Sequence, residues 1–103
     1  EIDNNIYLIE VKWTSHPINE SDLLVFRGKI EGKSSFTRGM FLAINGFTKE
    51  SIKALTTGKQ PNFFLIDGYD LSLVLEGKYS LEELLKYKIR KLAEEGAVYA
   101  RLP

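Results

Sequence analysis

The sequence predicts an α/β fold, a sandwich built on a largely parallel or mixed sheet, and three observations carry that reading. Short apolar and β-branched runs at Ile6 to Trp13, Gly39 to Asn45 and Phe63 to Ile66 alternate with segments of helical periodicity. The second and third runs are apolar without interruption, which suits strands covered on both faces. Strand and helix alternating in this way is the pattern of layered α/β architectures.

Each element follows from its residues. Ile6 to Trp13 is a first strand, and Pro17 breaks the chain after it by removing a backbone donor and restricting His16. Asn19 or Ser21 caps a helix running to about Gly32, with Leu23, Phe26 and Ile30 on its apolar side. Gly39 to Asn45 is a second strand, closed by Asn45-Gly46. Thr48 caps a short helix with Glu50 in its positive first turn and Gly58 as its stop. Phe63 to Ile66 is a third strand ending at Asp67-Gly68, and Asp70 to Leu75 supplies one or two helical turns. The last helix opens on a Ser80/Glu83 capping box, carries Leu81, Leu84, Leu85, Ile89 and Leu92 on one stripe, and stops at Gly96. Val98 to Leu102 is expected as a final edge strand.

A chain of 103 residues with 44% hydrophobic and 12% aromatic side chains has material for one core and too little for two. Its 14 basic and 14 acidic groups cancel, so any nucleic-acid contact has to come from a local patch. Cysteine is absent, which excludes disulfides and thiolate metal sites and fits an intracellular, cytoplasmic protein. No apolar run is long enough to span a bilayer, so no membrane partner is expected. The chain starts at Glu1-Ile2-Asp3, without methionine and almost directly in a strand. Residues 1–103 are therefore expected to be a single domain that lacks its N-terminal part.

The most informative motif is Glu10-Val11-Lys12 inside the first strand. Residues i and i+2 share a strand face, so Glu10 and Lys12 project together while Ile9 and Val11 point the other way. Charged groups on an otherwise hydrophobic strand need a partner or a task. Read structurally, the pair is a same-face ion pair. Arg27, Lys29, Lys33 and Arg38 gather around the end of the first helix, either as a patch tracking a DNA backbone or as an ordinary solvated face. Lys86, Lys88, Arg90 and Lys91 are balanced by Glu82, Glu83, Glu94 and Glu95 and read as a solvated face. His16, the one histidine, reads as an exposed loop residue. Tyr7 and Trp13 are expected to pack against a helix.

With Ile9-Glu10-Val11-Lys12-Trp13 on a central strand, the chain resembles the PD-(D/E)xK nuclease superfamily, most closely the restriction-endonuclease-like domains of the Mrr type. Arg38 to Thr48 also resembles that group, with its Gly46-Phe47-Thr48 exit into a helix, as does Phe64-Leu65-Ile66-Asp67-Gly68 ahead of Asp70-Leu71. The resemblance spans roughly Tyr7 to Tyr99. It implies a three-layer sandwich with a mixed central sheet and a DNA endonuclease that uses Mg²⁺ or Mn²⁺. In that picture Glu10 binds the ion with help from the Val11 carbonyl, and Lys12 orients or deprotonates the attacking water. The basic side chains Lys12, Arg27, Lys29, Lys33 and Arg38 would contact double-stranded DNA. A homodimer and attachment to other domains of a longer chain are compatible with this.

The superfamily adds an acidic ligand from the preceding strand, and Asp3 is the only upstream aspartate. If Asn4-Asn5 forms a two-residue hairpin turn, Asp3 pairs with Ile6 and Glu10 lies about 13 Å further along. Two carboxylates so far apart cannot share an ion. Either the aspartate precedes Glu1 or the turn differs. Two other readings stand beside the nuclease. One is a non-catalytic nucleic-acid-binding or protein-interaction module on the same fold. The other is an unrelated α/β interaction domain in which the tripeptide is accidental.

Overall fold

The computed structural model describes residues 6–33, 37–55 and 62–103. Along the chain these form β1 (Ile6–Lys12), α1 (Glu20–Glu31), β2 (Thr37–Ala43), α2 (Lys49–Leu55), β3 (Phe63–Asp67), α3 (Gly68–Leu75) and α4 (Leu81–Glu95). The three strands make one sheet in the order β1-β2-β3. Both neighbouring pairs are parallel, with Lys12 opposite Ala43 and Ala43 opposite Asp67. The α/β class is thus met, and the described strands run one way.

Period-two alternation sorts the apolar side chains onto two faces. Phe41, Ala43, Phe63 and Leu65 pack with Leu23, Phe26 and Ile30 of α1 and Leu55 of α2. Met40, Phe64 and Ile66 pack with Leu73 of α3 and Leu84 of α4. Phe26 organises the first cluster, meeting the rings of Phe41 and Phe63 edge-on with centroids 5.1 Å away in each case. Such pairs add about 0.5–1.5 kcal/mol each beyond simple burial. Gly39 allows that closeness: a Cβ there would sit 2.1 Å from Ile30 Cδ1 and 2.7 Å from Phe63 Cβ.

The helix ends follow local chemistry. The Asn19 side chain accepts from the Asp22 N–H, and Thr48 Oγ1 accepts from the Ser51 N–H at 3.2 Å. Ser80 and Glu83 form the reciprocal box, and Gly96 ends α4 with φ +68. Gly58 lies outside the described residues, as do Asp3 and the Asn4-Asn5 turn.

Two expectations need correction. The sequence places β1 centrally with Trp13 against a helix, but Ile9 and Val11 are 58% and 56% exposed and Trp13 is 80% exposed. Among the described residues β1 pairs with β2 alone, and α3 and α4 pack around β3, so little reaches that face of β1 beyond Tyr7, whose ring meets Phe64. Val98 to Leu102 is not a strand. It touches the ladder once, where Leu65 N–H donates to the Val98 carbonyl at 2.8 Å. Its later carbonyls instead accept from side chains: Ala100 from Lys88, Arg101 from Tyr87 and Pro103 from Tyr79.

The loops at the carboxyl ends of β1 and β2 are tied together. Ile18 N–H donates to the Gly46 carbonyl at 2.9 Å, and Thr48 N–H donates to the Ile18 carbonyl at 3.0 Å. The Asn45 side-chain amide donates to the Thr14 carbonyl. This edge of the sheet therefore presents one continuous surface.

Candidate functional site

Glu10 and Lys12 project toward α1, on the face that carries Phe41 and Ala43. Glu10 Oε2 lies 3.7 Å from Lys12 Nζ, and Glu10 Oε1 lies 3.2 Å from Lys29 Nζ. The carboxylate is the less exposed partner, with its side chain 23% accessible against 42% for Lys12 and 53% for Lys29. A cleft of about 70 Å³ opens beside them, lined also by Asp22, Phe26 and Phe41. Half-sheltered by two phenylalanines, these charges interact more strongly than a fully solvated pair would. Val11, between them, turns its side chain to the opposite, exposed face.

The remaining basic residues do not gather as one patch. Only Lys29 joins Glu10. Arg27 pairs with Glu31 at 3.8 Å along its own helix. Arg38 is opposite Tyr7 and donates to the Thr37 carbonyl at 3.2 Å. That position lies about 16 Å from Lys12 along the strand direction. Lys33 is exposed just beyond the helix cap Gly32. His16 is exposed, with Nδ1 3.3 Å from the Pro17 carbonyl.

Asp22 was not singled out in the sequence, although an acid in the first turn of a capped helix is placed by known rules. The described residues contain no group of three histidine, cysteine, aspartate or glutamate side chains able to hold a metal ion. Among the described residues, Glu10 is the one carboxylate that β1 itself supplies, and both of its oxygens already face lysines. The described donors alone do not fit a divalent ion.

A second charged cluster, not anticipated, sits at the end of β3. Asp67 caps α3 and Asp70 caps back, each carboxylate accepting the other residue's N–H at 2.9 and 3.2 Å. Lys88 Nζ lies 2.9 Å from Asp70 Oδ2, with neither side chain accessible to solvent. Lys88 was read on a solvated face, and this corrects that reading. Its spacing carried the signal, because Leu84, Lys88 and Leu92 fall on one helical stripe. Arg101 Nη1 lies 2.8 Å from Asp67 Oδ2, and the Tyr99 hydroxyl donates to the same oxygen.

Electrostatics in this cluster follow from burial and pairing. Burial alone would push the Asp67 carboxyl up, but the Tyr99 hydroxyl, the Asp70 N–H, Arg101 and Lys88 together hold it below the usual aspartate value. Burial pulls the Lys88 ammonium below the usual lysine value, and Asp70 opposes that pull. Burial, then the neighbouring Asp67, pushes the Tyr99 hydroxyl up.

The segment that carries the Glu10–Lys12 pair matches a known family. The family model Mrr_cat, restriction endonuclease, matches residues 1–75, nearly three-quarters of the chain. The chain belongs to the Mrr_cat restriction endonuclease family. No curated protein and no solved structure matches it. The Mrr_cat match covers β1 to α3, so Glu10, Lys12 and Lys29 fall within it, while Lys88, Tyr99 and Arg101 fall outside. Membership makes this a nuclease-like domain. No described helix is long and apolar enough to cross a membrane.

Proposed function

We propose that this chain is a metal-dependent DNA endonuclease domain, hydrolysing phosphodiester bonds of double-stranded DNA as an intracellular module of a longer protein. The observation that supports it best is the Glu10–Lys12 pair. It projects from one face of β1 into a half-sheltered cleft, within the segment that matches the restriction endonuclease family. Lys12 has the exposure and the position to sit beside a phosphate, offset its charge and orient an attacking water. Lys29 neutralises Glu10 and supplies a second cation for the phosphate, with Arg27, Lys33 and Arg38 contacting the backbone further away.

Mg²⁺ or Mn²⁺ is the cofactor of this reading, with Glu10 and the Val11 carbonyl among its donors. Those donors do not suffice, so another carboxylate has to join Glu10: Asp3, or an acidic residue ahead of Glu1. A strand carrying that residue, paired antiparallel with β1, would complete a mixed, three-layer sandwich. A homodimer is compatible with the same scheme.

One observation favours a second reading, a non-catalytic nucleic-acid-binding or protein-interaction module on this fold. Both Glu10 oxygens are held by lysines, as in a relic site. The test is supercoiled plasmid incubated with Mg²⁺ or Mn²⁺, and with EDTA as control, using this chain and its longer parent. Metal-dependent nicking by either supports the nuclease. Intact plasmid with both would leave the binding module.

A further inference from the structure

The carboxyl edge of the sheet carries a second recess, separate from the Glu10 cleft. It is an open cavity of about 350 Å³ lined by Asn45, Gly46, Asp67, Tyr69, Tyr99 and Arg101, among others. Lys12, Ala43 and Asp67 are in register across the three strands, so Asp67 shares a sheet face with Lys12 two strands away. That separation is about 10 Å. Asn45 bridges the two places, since it borders the recess and donates to the Thr14 carbonyl just beyond Lys12. Ligands of open α/β sheets gather at this carboxyl edge.

The chemistry of the recess is specific. The Arg101 guanidinium lies over the rings of both Tyr69 and Tyr99, 5.2 and 4.8 Å from their centroids. It is fixed there by Asp67, and its Nη2 donates to the Tyr99 hydroxyl at 3.3 Å. A guanidinium has five N–H donors, so bonds from one nitrogen to each partner leave further donors on a group that lines the recess. Asp67 and Arg101 cancel in charge, which makes the recess a poor trap for a simple anion. Tyr69 is 56% exposed, an aromatic surface offered to solvent beside the guanidinium. Mixed donors and acceptors with a stacking surface and no net charge fit a planar, neutral heteroaromatic group. On a nucleic-acid strand that group is a base.

We propose that Tyr69 and Arg101 form a stacking site for one nucleobase flipped out of the duplex bound at Lys12, with Asn45 and Asp67 meeting its polar edge. The proposal rests on the nucleic-acid substrate of the reading above. It adds a contact to the base, which phosphate-directed lysines cannot make.

The test is fluorescence anisotropy with a labelled single-stranded DNA oligonucleotide in EDTA, against a strand of equal length lacking all bases. The wild-type chain should prefer the intact strand by roughly 5- to 150-fold, the range expected for stacking one base. Tyr69→Ala should erase that preference and Tyr69→Phe should keep it, with unchanged circular dichroism melts. Arg101→Lys, which retains charge but not the planar stack, should reduce it. Equal binding of both strands by the wild type, or a preference untouched by Tyr69→Ala, would overturn the proposal. The two readings fail separately. A base preference without plasmid nicking keeps this site and removes the nuclease, whereas nicking with no Tyr69 effect removes this site alone.

Discussion

Replacing Lys88 with methionine should be among the most destabilising single changes in this chain. The ammonium and its partner Asp70 have no solvent-accessible side-chain surface, and Nζ also donates to the Ala100 carbonyl at 2.7 Å. Methionine preserves the apolar stem, so packing changes little and the charge is isolated as the variable. Without Lys88, the closest remaining cation is Arg101, whose Nη1 is 4.0 Å from Asp70 Oδ1. That oxygen is buried and accepts no hydrogen bond among the described residues. Breaking a buried pair by removing one partner costs about 3–5 kcal/mol, because the other charge is left uncompensated. A domain of this size has about 5–15 kcal/mol in total. At about 4–5 °C per kcal/mol, the melting temperature should fall by about 12–25 °C. Urea unfolding followed by circular dichroism measures the change as a lower midpoint with an unchanged slope. The double variant Lys88→Met with Asp70→Asn should recover part of the loss, since an amide caps α3 without a buried charge. A Lys88→Met cost below about 1 kcal/mol, typical of a surface pair, would mean that the Lys88–Asp70 charges are not buried as a pair.

Three further outcomes follow from the same geometry. Gly39→Ala should cost at least about 1–3 kcal/mol, the usual range for overpacking, because its Cβ would overlap Ile30, Phe63 and Phe26; thermal melts measure it. Asp67→Asn should be less stable than wild type at neutral pH by about 1.5–3 kcal/mol, the value of a charge-assisted hydrogen bond. Since the folded-state pKa of Asp67 is depressed, its contribution is present above the unfolded value near 3.8 and is lost as pH falls through the lower folded value. The gap between the two proteins should therefore close below about pH 4 in urea titrations. Lys29→Ala should change stability by less than about 1 kcal/mol, because the Lys29 end of the pair is half-exposed and Lys12 still faces Glu10.

Elements governed by local chemistry were legible in the sequence. Asn19, Thr48 and Ser80 cap the helices they were expected to cap, and Gly96 stops α4 in the left-handed conformation that glycine tolerates. The uninterrupted runs at β2 and β3 correctly predicted strands covered on both faces. The misjudged features depend on distant parts of the chain. Ile9, Val11 and Trp13 have the composition of a buried strand, but their exposure depends on what lies over β1. Val98 to Leu102 has strand-like residues, yet α4 side chains take the carbonyls a ladder would use. Lys88 was assigned by the charges around it, although its stripe position pointed inward; only the placement of Asp70 explains why a lysine can occupy it. In the candidate site, the pairing of Glu10 with Lys12 followed from strand alternation. The approach of Lys29 required the crossing of α1 over β1, which no sequence spacing specifies.

We propose above that the Glu10–Lys12 face of β1 hydrolyses phosphodiester bonds. The most direct measurement is the rate of plasmid nicking in Mg²⁺ or Mn²⁺ by the parent protein and its Lys12→Ala and Lys29→Ala variants. Lys12→Ala should lose about 10²- to 10⁴-fold, the range for a group acting on the proton and charge of the reaction. Lys29→Ala should lose far less, since it acts through Glu10 and the backbone. Nicking by Lys12→Ala at the wild-type rate would place the chemistry elsewhere.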